Sequence, residues 1–133
     1  MAMSFSAAAG FAAPPRSSLP EMADEILLAF STFPDLETAR RIARQLVAEN
    51  FAACANIIPA VESIYRWQGK IEQGNEALVL FKTTSARFAA FQETLKSLHP
   101  YDVPEIIALP VERGLPEYLR WVIDSSEPEN LTA

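Results

Sequence analysis

The order of elements predicts an α+β fold: a ferredoxin-like split βαβ sandwich with a long second strand and a short C-terminal helix. Three observations carry it. A short apolar strand pattern leads into an amphipathic helix pattern. A long alternating stretch is then followed by a continuous apolar run with no helix between them. A second helical pattern precedes the last strand. At 133 residues, one domain is expected.

Residues 26–32 are short and apolar and form the first strand candidate. Pro34 and Asp35 end it, and Asp35 can accept amide hydrogens at a helix start. Leu36, Ala39, Ile42, Ala43, Leu46 and Val47 follow at spacings of three and four, the strongest helix signal in the chain. Asn50 is a suitable left-handed stop.

Residues 51–58 read as a second strand, which Pro59 interrupts and residues 61–67 resume. In the resumed part Val61, Ser63, Tyr65 and Trp67 share one face, and Glu62, Ile64 and Arg66 the other. A proline inside a strand points to an edge or a bulge. Gln68-Gly69-Lys70 and Gln73-Gly74-Asn75 are turn signals, and residues 77–81 read as a central buried strand. Thr84 or Ser85 can cap the next helix, on which Phe88, Phe91, Leu95 and Leu98 recur; Pro100 ends it near His99. Residues 103–111 read as the fourth strand. After Gly114, Pro116 opens a short helix carrying Tyr118, Leu119, Trp121 and Val122.

Residues 1–24, rich in Ala, Ser and Pro, read as a disordered extension, residues 25–125 as the folded domain, and residues 126–133 as a tail. Arg16 follows the apolar part of the extension, whereas a signal peptide places its basic residues first. Both helices would cover one sheet face. The strands are nevertheless apolar on both faces, so the other face needs a cover, and self-association supplies one.

The net charge of −6 argues against a nucleic-acid partner, which needs clustered basic residues. Arg40, Arg41 and Arg44 fall in a helix pattern with Glu37 and Glu49 and read as a solvated face. No apolar run reaches the ~20 residues of a membrane span, and the expected location is the cytoplasm. No G-x-S-x-G elbow is present and glycines number only four, so neither a hydrolase nor a phosphate-cradling loop is indicated, and no catalytic residue is assigned.

One cysteine and one histidine restrict metal chemistry in a single chain. Cys54, among small apolar neighbours, reads either as a small buried hydrophobe or as a soft copper ligand. His99 reads either as a partner of a helix C-terminus or as a metal or anion contact. Tyr65, Arg66 and Trp67 suit cross-strand packing or a ligand-stacking wall. Lys82, at the end of a buried-looking strand, must snorkel, pair with a carboxylate or bind an anion.

Several segments stand in a distinctive order: Thr32-Phe33-Pro34-Asp35, Ala52-Ala53-Cys54-Ala55-Asn56-Ile57-Ile58-Pro59, Ser63-Ile64-Tyr65-Arg66-Trp67-Gln68-Gly69-Lys70 and Lys82-Thr83. The most specific are His99-Pro100-Tyr101-Asp102-Val103-Pro104-Glu105-Ile106 and then Tyr118-Leu119 with Trp121. Together, over about residues 26–121, they resemble the CutA divalent-cation tolerance family. The resemblance implies a tight homotrimer with an architecture like that of PII signalling proteins, and no assigned enzymatic reaction. It implies binding of copper or another divalent cation, with His99 and Cys54 as candidate ligands. It also implies an intersubunit cleft lined by Tyr65, Trp67, Lys82, His99, Tyr101, Glu105 and Trp121, suited to a small anionic ligand. One position departs: relatives usually carry a cysteine where this chain has Phe33. Three functions stay open: a metal-responsive trimer, a PII-like signalling or scaffold trimer, and an enzyme with an intersubunit site.

Overall fold

The computed structural model describes residues 25–128. The expected disordered extension, residues 1–24, and most of the expected tail lie outside the described residues. The elements are β1 (Ile26–Phe33), α1 (Leu36–Ala48), β2 (Cys54–Trp67), β3 (Lys70–Thr84), α2 (Ser85–Leu98), β4 (Ile107–Pro110) and α3 (Pro116–Ser126). One four-stranded sheet runs in the order β2-β3-β1-β4, with every neighbouring pair antiparallel. This is the split βαβ arrangement read from the sequence.

The helix starts are built as their sequences require. Asp35 Oδ1 accepts from the Thr38 amide at 2.7 Å and Thr84 Oγ1 from the Arg87 amide at 3.3 Å, satisfying amides that have no partner inside the helix. Asn50 takes φ 63° and turns the chain out of α1. Pro116 occupies the first turn of α3, where its missing N–H costs nothing.

Ala39, Ile42, Ala43 and Leu46 of α1 and Phe91 and Leu95 of α2 cover one sheet face. That face presents Ala29 and Phe33 of β1 and Ala77, Val79 and Phe81 of β3, all buried with them in one cluster. Phe81 and Phe91 meet edge to face with centroids 5.0 Å apart. Burial of each large side chain contributes about 1.5–3 kcal/mol. A second cluster joins Ile26, Ala53 and Val122, with Cys54, Leu119 and Ile123 packed against it. It seats α3 on the opposite face, at the end of the sheet where β1 begins.

The sequence reading missed in three places. Gln73-Gly74-Asn75 is not a turn: β3 runs through it, pairing Gln73 with Ile64, Gly74 with Ser63 and Asn75 with Glu62. The fourth strand is limited to Ile107–Pro110, because Pro104 lies in a segment without a ladder. The second strand starts at Cys54, not at 51. The Gln68-Gly69 turn does close the hairpin, with φ of 51° and 80°, the doubly positive pattern that matches strand twist.

Pro59 sits in a register shift between Ile58 and Val61. Before the shift, even-numbered residues of β2 pair with even-numbered residues of β3 (Asn56 with Leu80, Ile58 with Leu78). After it, odd pairs with even (Val61 with Glu76, Tyr65 with Glu72). The extra residue therefore puts Tyr65 and Trp67 in the same side-chain series as Cys54, Asn56 and Ile58, on the face away from α1 and α2.

Candidate functional site

His99 ends α2, yet its ring does not serve the helix. It is 7% exposed. Its Nε2 lies 2.8 Å from the Thr32 carbonyl, and the Tyr101 amide donates to Nδ1 at 3.1 Å. A carbonyl only accepts and an amide N–H only donates, so the ring is neutral with its proton on Nε2. Burial holds its pKa below the ordinary 6.5, against weaker opposing effects of the Thr32 carbonyl and the Glu76 charge. The ring packs on Phe33 and on Tyr101, with centroids 4.6 and 4.8 Å away. Position 33, the one departure noted in the sequence resemblance, is thus in direct contact with His99, and a phenyl ring fills it.

The Tyr101 hydroxyl donates to Glu76 Oε2 at 2.7 Å. Burial, this bond and the charges of Glu76, Tyr65 and Asp35 hold the phenol well above its usual pKa. Thr32, Phe33, Glu76, His99 and Tyr101 form one connected group at the end of the sheet where β1 stops. It joins the loop after α2 to β1 and β3.

Cys54 and Lys82 are direct cross-strand partners, with Nζ 3.9 Å from Sγ. Lys82 Nζ also donates to Asn56 Oδ1, and Cys54 Sγ lies 3.6 Å from the same oxygen. The lysine takes the pairing role expected of it, but with an amide and a thiol instead of a carboxylate.

These two groups are far apart. Lys82 pairs with Leu28 of β1, whereas His99 bonds to Thr32. Four residues of extended chain span about 13 Å. Within one chain, Cys54 and His99 do not approach a common ion. The described residues contain no group of three or more His, Cys, Asp and Glu side chains placed to hold a metal. Both His99 nitrogens are already engaged, so ligation at either breaks a hydrogen bond. Among the described residues, the donor set of a single chain does not fit a copper centre.

The remaining cleft candidates are exposed: Tyr65 at 48%, Trp67 at 59% and Trp121 at 45%, with Glu105 exposed in the segment before β4. The rings of Tyr118 and Trp121 lie together, centroids 5.5 Å apart. Of the sequence candidates, Tyr101 packs on His99 and Lys82 reaches Cys54. Sequence reasoning named Glu76 only as one of several carboxylates able to supply a hard metal ligand, and gave Asn56 and Thr32 no role. Glu76 is 25 residues from Tyr101 and carries no local signal; Asn56 was within reach, two residues from Cys54 on the same strand face.

The fold and these two groups describe a small α+β protein with a large apolar surface left open. The CutA1 divalent ion tolerance protein family model matches residues 27–125. The mouse protein named CutA is 46% identical over 114 residues, covering 86% of this chain and 64% of that protein. The divalent-cation tolerance protein CutA of Thermus thermophilus is 50% identical over 95 residues, covering 71% of this chain and 92% of that one. The solved structure of the Thermus thermophilus protein superposes with a TM-score of 0.75 at 47% identity, over 77% of this chain and 99% of that chain. The chain belongs to the CutA1 divalent ion tolerance protein family. Among the described residues no helix is long and apolar enough to cross a membrane.

Proposed function

We propose that the protein is a cytoplasmic homotrimer that takes part in tolerance of divalent metal ions and binds copper. The match of residues 27–125 to a divalent ion tolerance family carries this reading. Assembly has its own support. Ile64, Trp67 and Ile71 on the β2–β3 hairpin are 67%, 59% and 62% exposed, and Ile107, Leu109, Tyr118 and Trp121 are also open. By register Ile107 and Leu109 flank Phe30 and Leu28 on the face that α1 and α2 leave uncovered. Apolar surface of this extent marks a contact between molecules.

Because Cys54 and His99 are separated in one chain, a copper site using them draws its ligands from more than one chain. Dialysed protein titrated with Cu(II) and Cu(I) is expected to show weak to moderate binding that falls in Cys54→Ser and His99→Ala variants. Unchanged affinity in both removes these ligands from the proposal. Sedimentation is expected to give three chains per particle, and Trp67→Asp to reduce that number; a wild-type monomer overturns the assembly.

One observation favours a second reading, a PII-like signalling or scaffold trimer that takes a small anionic ligand or a partner protein at intersubunit clefts. The Lys82 ammonium contacts an amide oxygen and a thiol, and among the described residues it meets no carboxylate. Exposed Tyr65, Trp67 and Trp121 supply aromatic surface, and Tyr101 and Glu105 polar groups. Anion binding that is lost in Lys82→Met with assembly intact supports this reading over the metal one.

A further inference from the structure

Cys54 is the single thiol of the chain, and Lys82 stands directly opposite it across the β2–β3 ladder. Residues so placed hold their Cβ atoms about 5 Å apart. The lysine stem leans over the pair and brings Nζ to 3.9 Å from Sγ. Asn56 holds this arrangement: its Oδ1 accepts from Lys82 Nζ and lies 3.6 Å from the sulfur. The amine is thus kept beside the thiol by a third side chain and not by the sulfur alone.

The surroundings decide what the thiol can meet. Cys54 packs against the cluster of Ile26, Ala53 and Val122 and is half-buried, so its sulfur is open to an oxidant as small as hydrogen peroxide. Oxidation of a thiol by peroxide gives a sulfenic acid, whose sulfur is electrophilic and condenses with a second thiol or with a nitrogen. The chain has no second cysteine, so no intrachain disulfide can form. The nucleophile already held at the sulfur is the Lys82 amine.

We propose that Cys54 and Lys82 form a reversible, peroxide-driven crosslink, a sulfenamide that joins β2 to β3. Hydrogen peroxide oxidises the thiol: its O–O bond breaks, an S–O bond forms, and water leaves. Lys82, having released its ammonium proton to solvent, then attacks the sulfur. An S–N bond forms, the S–O bond breaks, and the oxygen leaves as a second water. The sulfur loses two electrons and peroxide gains them. A dithiol reductant returns the thiol and the amine. The link withdraws both a thiol and a positive charge from this face, and it stops the sulfur short of irreversible sulfinic oxidation. It needs no metal, so it is decided separately from copper binding.

Peptide mass spectrometry tests it. The full-length protein, kept metal-free with a chelator, is treated with hydrogen peroxide beside a Lys82→Arg variant. In wild type, Cys54 and Lys82 are expected in one linked fragment about 2 Da lighter than its two peptides together, and dithiothreitol is expected to separate them. The variant keeps the positive charge on a guanidinium that does not deprotonate and so does not attack. There dimedone is expected to label the sulfenic acid about tenfold more, and prolonged treatment to add about 32 or 48 Da at Cys54. Wild-type Cys54 that stays a thiol, is overoxidised as in the variant, or joins the Cys54 of another chain in a disulfide overturns the proposal. The wild-type map decides this by itself, whatever the stability of the variant.

Discussion

Phe33 and His99 lie face to face, with ring centroids 4.6 Å apart and 18° between their planes. The contact closes one side of the imidazole while Thr32 and Tyr101 occupy its nitrogens. Phe33 is fully buried. Phe33→Ala is therefore expected to cost about 3–5 kcal/mol in urea unfolding, the range for emptying a buried aromatic position. A loss under about 1 kcal/mol would mean that the pocket collapses without penalty.

The neutral ring gives stability a pH dependence. Burial lowers the folded-state pKa of His99 below 6.5, so the unfolded chain takes up a proton at higher pH than the folded one. Stability is complete above the unfolded value and falls as pH drops below about 6.5. Unfolding midpoints measured between about pH 5 and pH 8 should rise with pH in wild type and show a weaker dependence in His99→Gln.

Tyr101→Phe removes the hydroxyl that donates to Glu76 at 2.7 Å and leaves the ring against His99. A loss of about 1–2 kcal/mol is expected, typical of a hydrogen bond to a charged partner at a half-buried position. Glu76→Gln keeps an acceptor and should lose less. Denaturant unfolding of both variants checks the order.

The hairpin turn permits a test of backbone strain alone. Gly69 has φ 80°, and a Cβ built there meets no atom within 4 Å. Gly69→Ala is expected to destabilise by about 1–2 kcal/mol through conformation only. Gln68→Gly, at φ 51°, is expected to be neutral or stabilising. If Gly69→Ala is as stable as wild type, the turn relaxes to another type.

Where the chain carries local chemistry, its structure was legible. Asp35, Asn50, Thr84 and Pro116 each mark a boundary by what their own side chain or φ allows, and each boundary holds. Gln73-Gly74-Asn75 shows the opposite case. Its turn preference is outweighed by pairing with residues 62–64, a partnership set by the Gln68-Gly69 turn several residues away. The segment before β4 was overread as strand because Val103 and Ile106 look apolar, although Pro104 between them cannot donate to a ladder. The candidate site was legible as residue types but not as groupings. His99 and Tyr101 are near neighbours in sequence, and their contact was within reach of the motif. Tyr101 with Glu76 and Cys54 with Lys82 depend on strand register, which the sequence states only once the bulge has been placed.

That bulge decides what a change in the length of β2 would do. Deleting one residue at positions 59–60 would remove the extra residue and leave Val61 opposite Glu76 and Tyr65 opposite Glu72, with every side chain on its present face. Deleting both would leave β2 one residue short and, with the hairpin turn held, would exchange Cys54, Asn56 and Ile58 with Ala55 and Ile57 between the two faces. Homologous hairpins can therefore lose the bulged residue and keep their surface chemistry, whereas the loss of a second residue there rewrites that surface without altering a single amino acid in it.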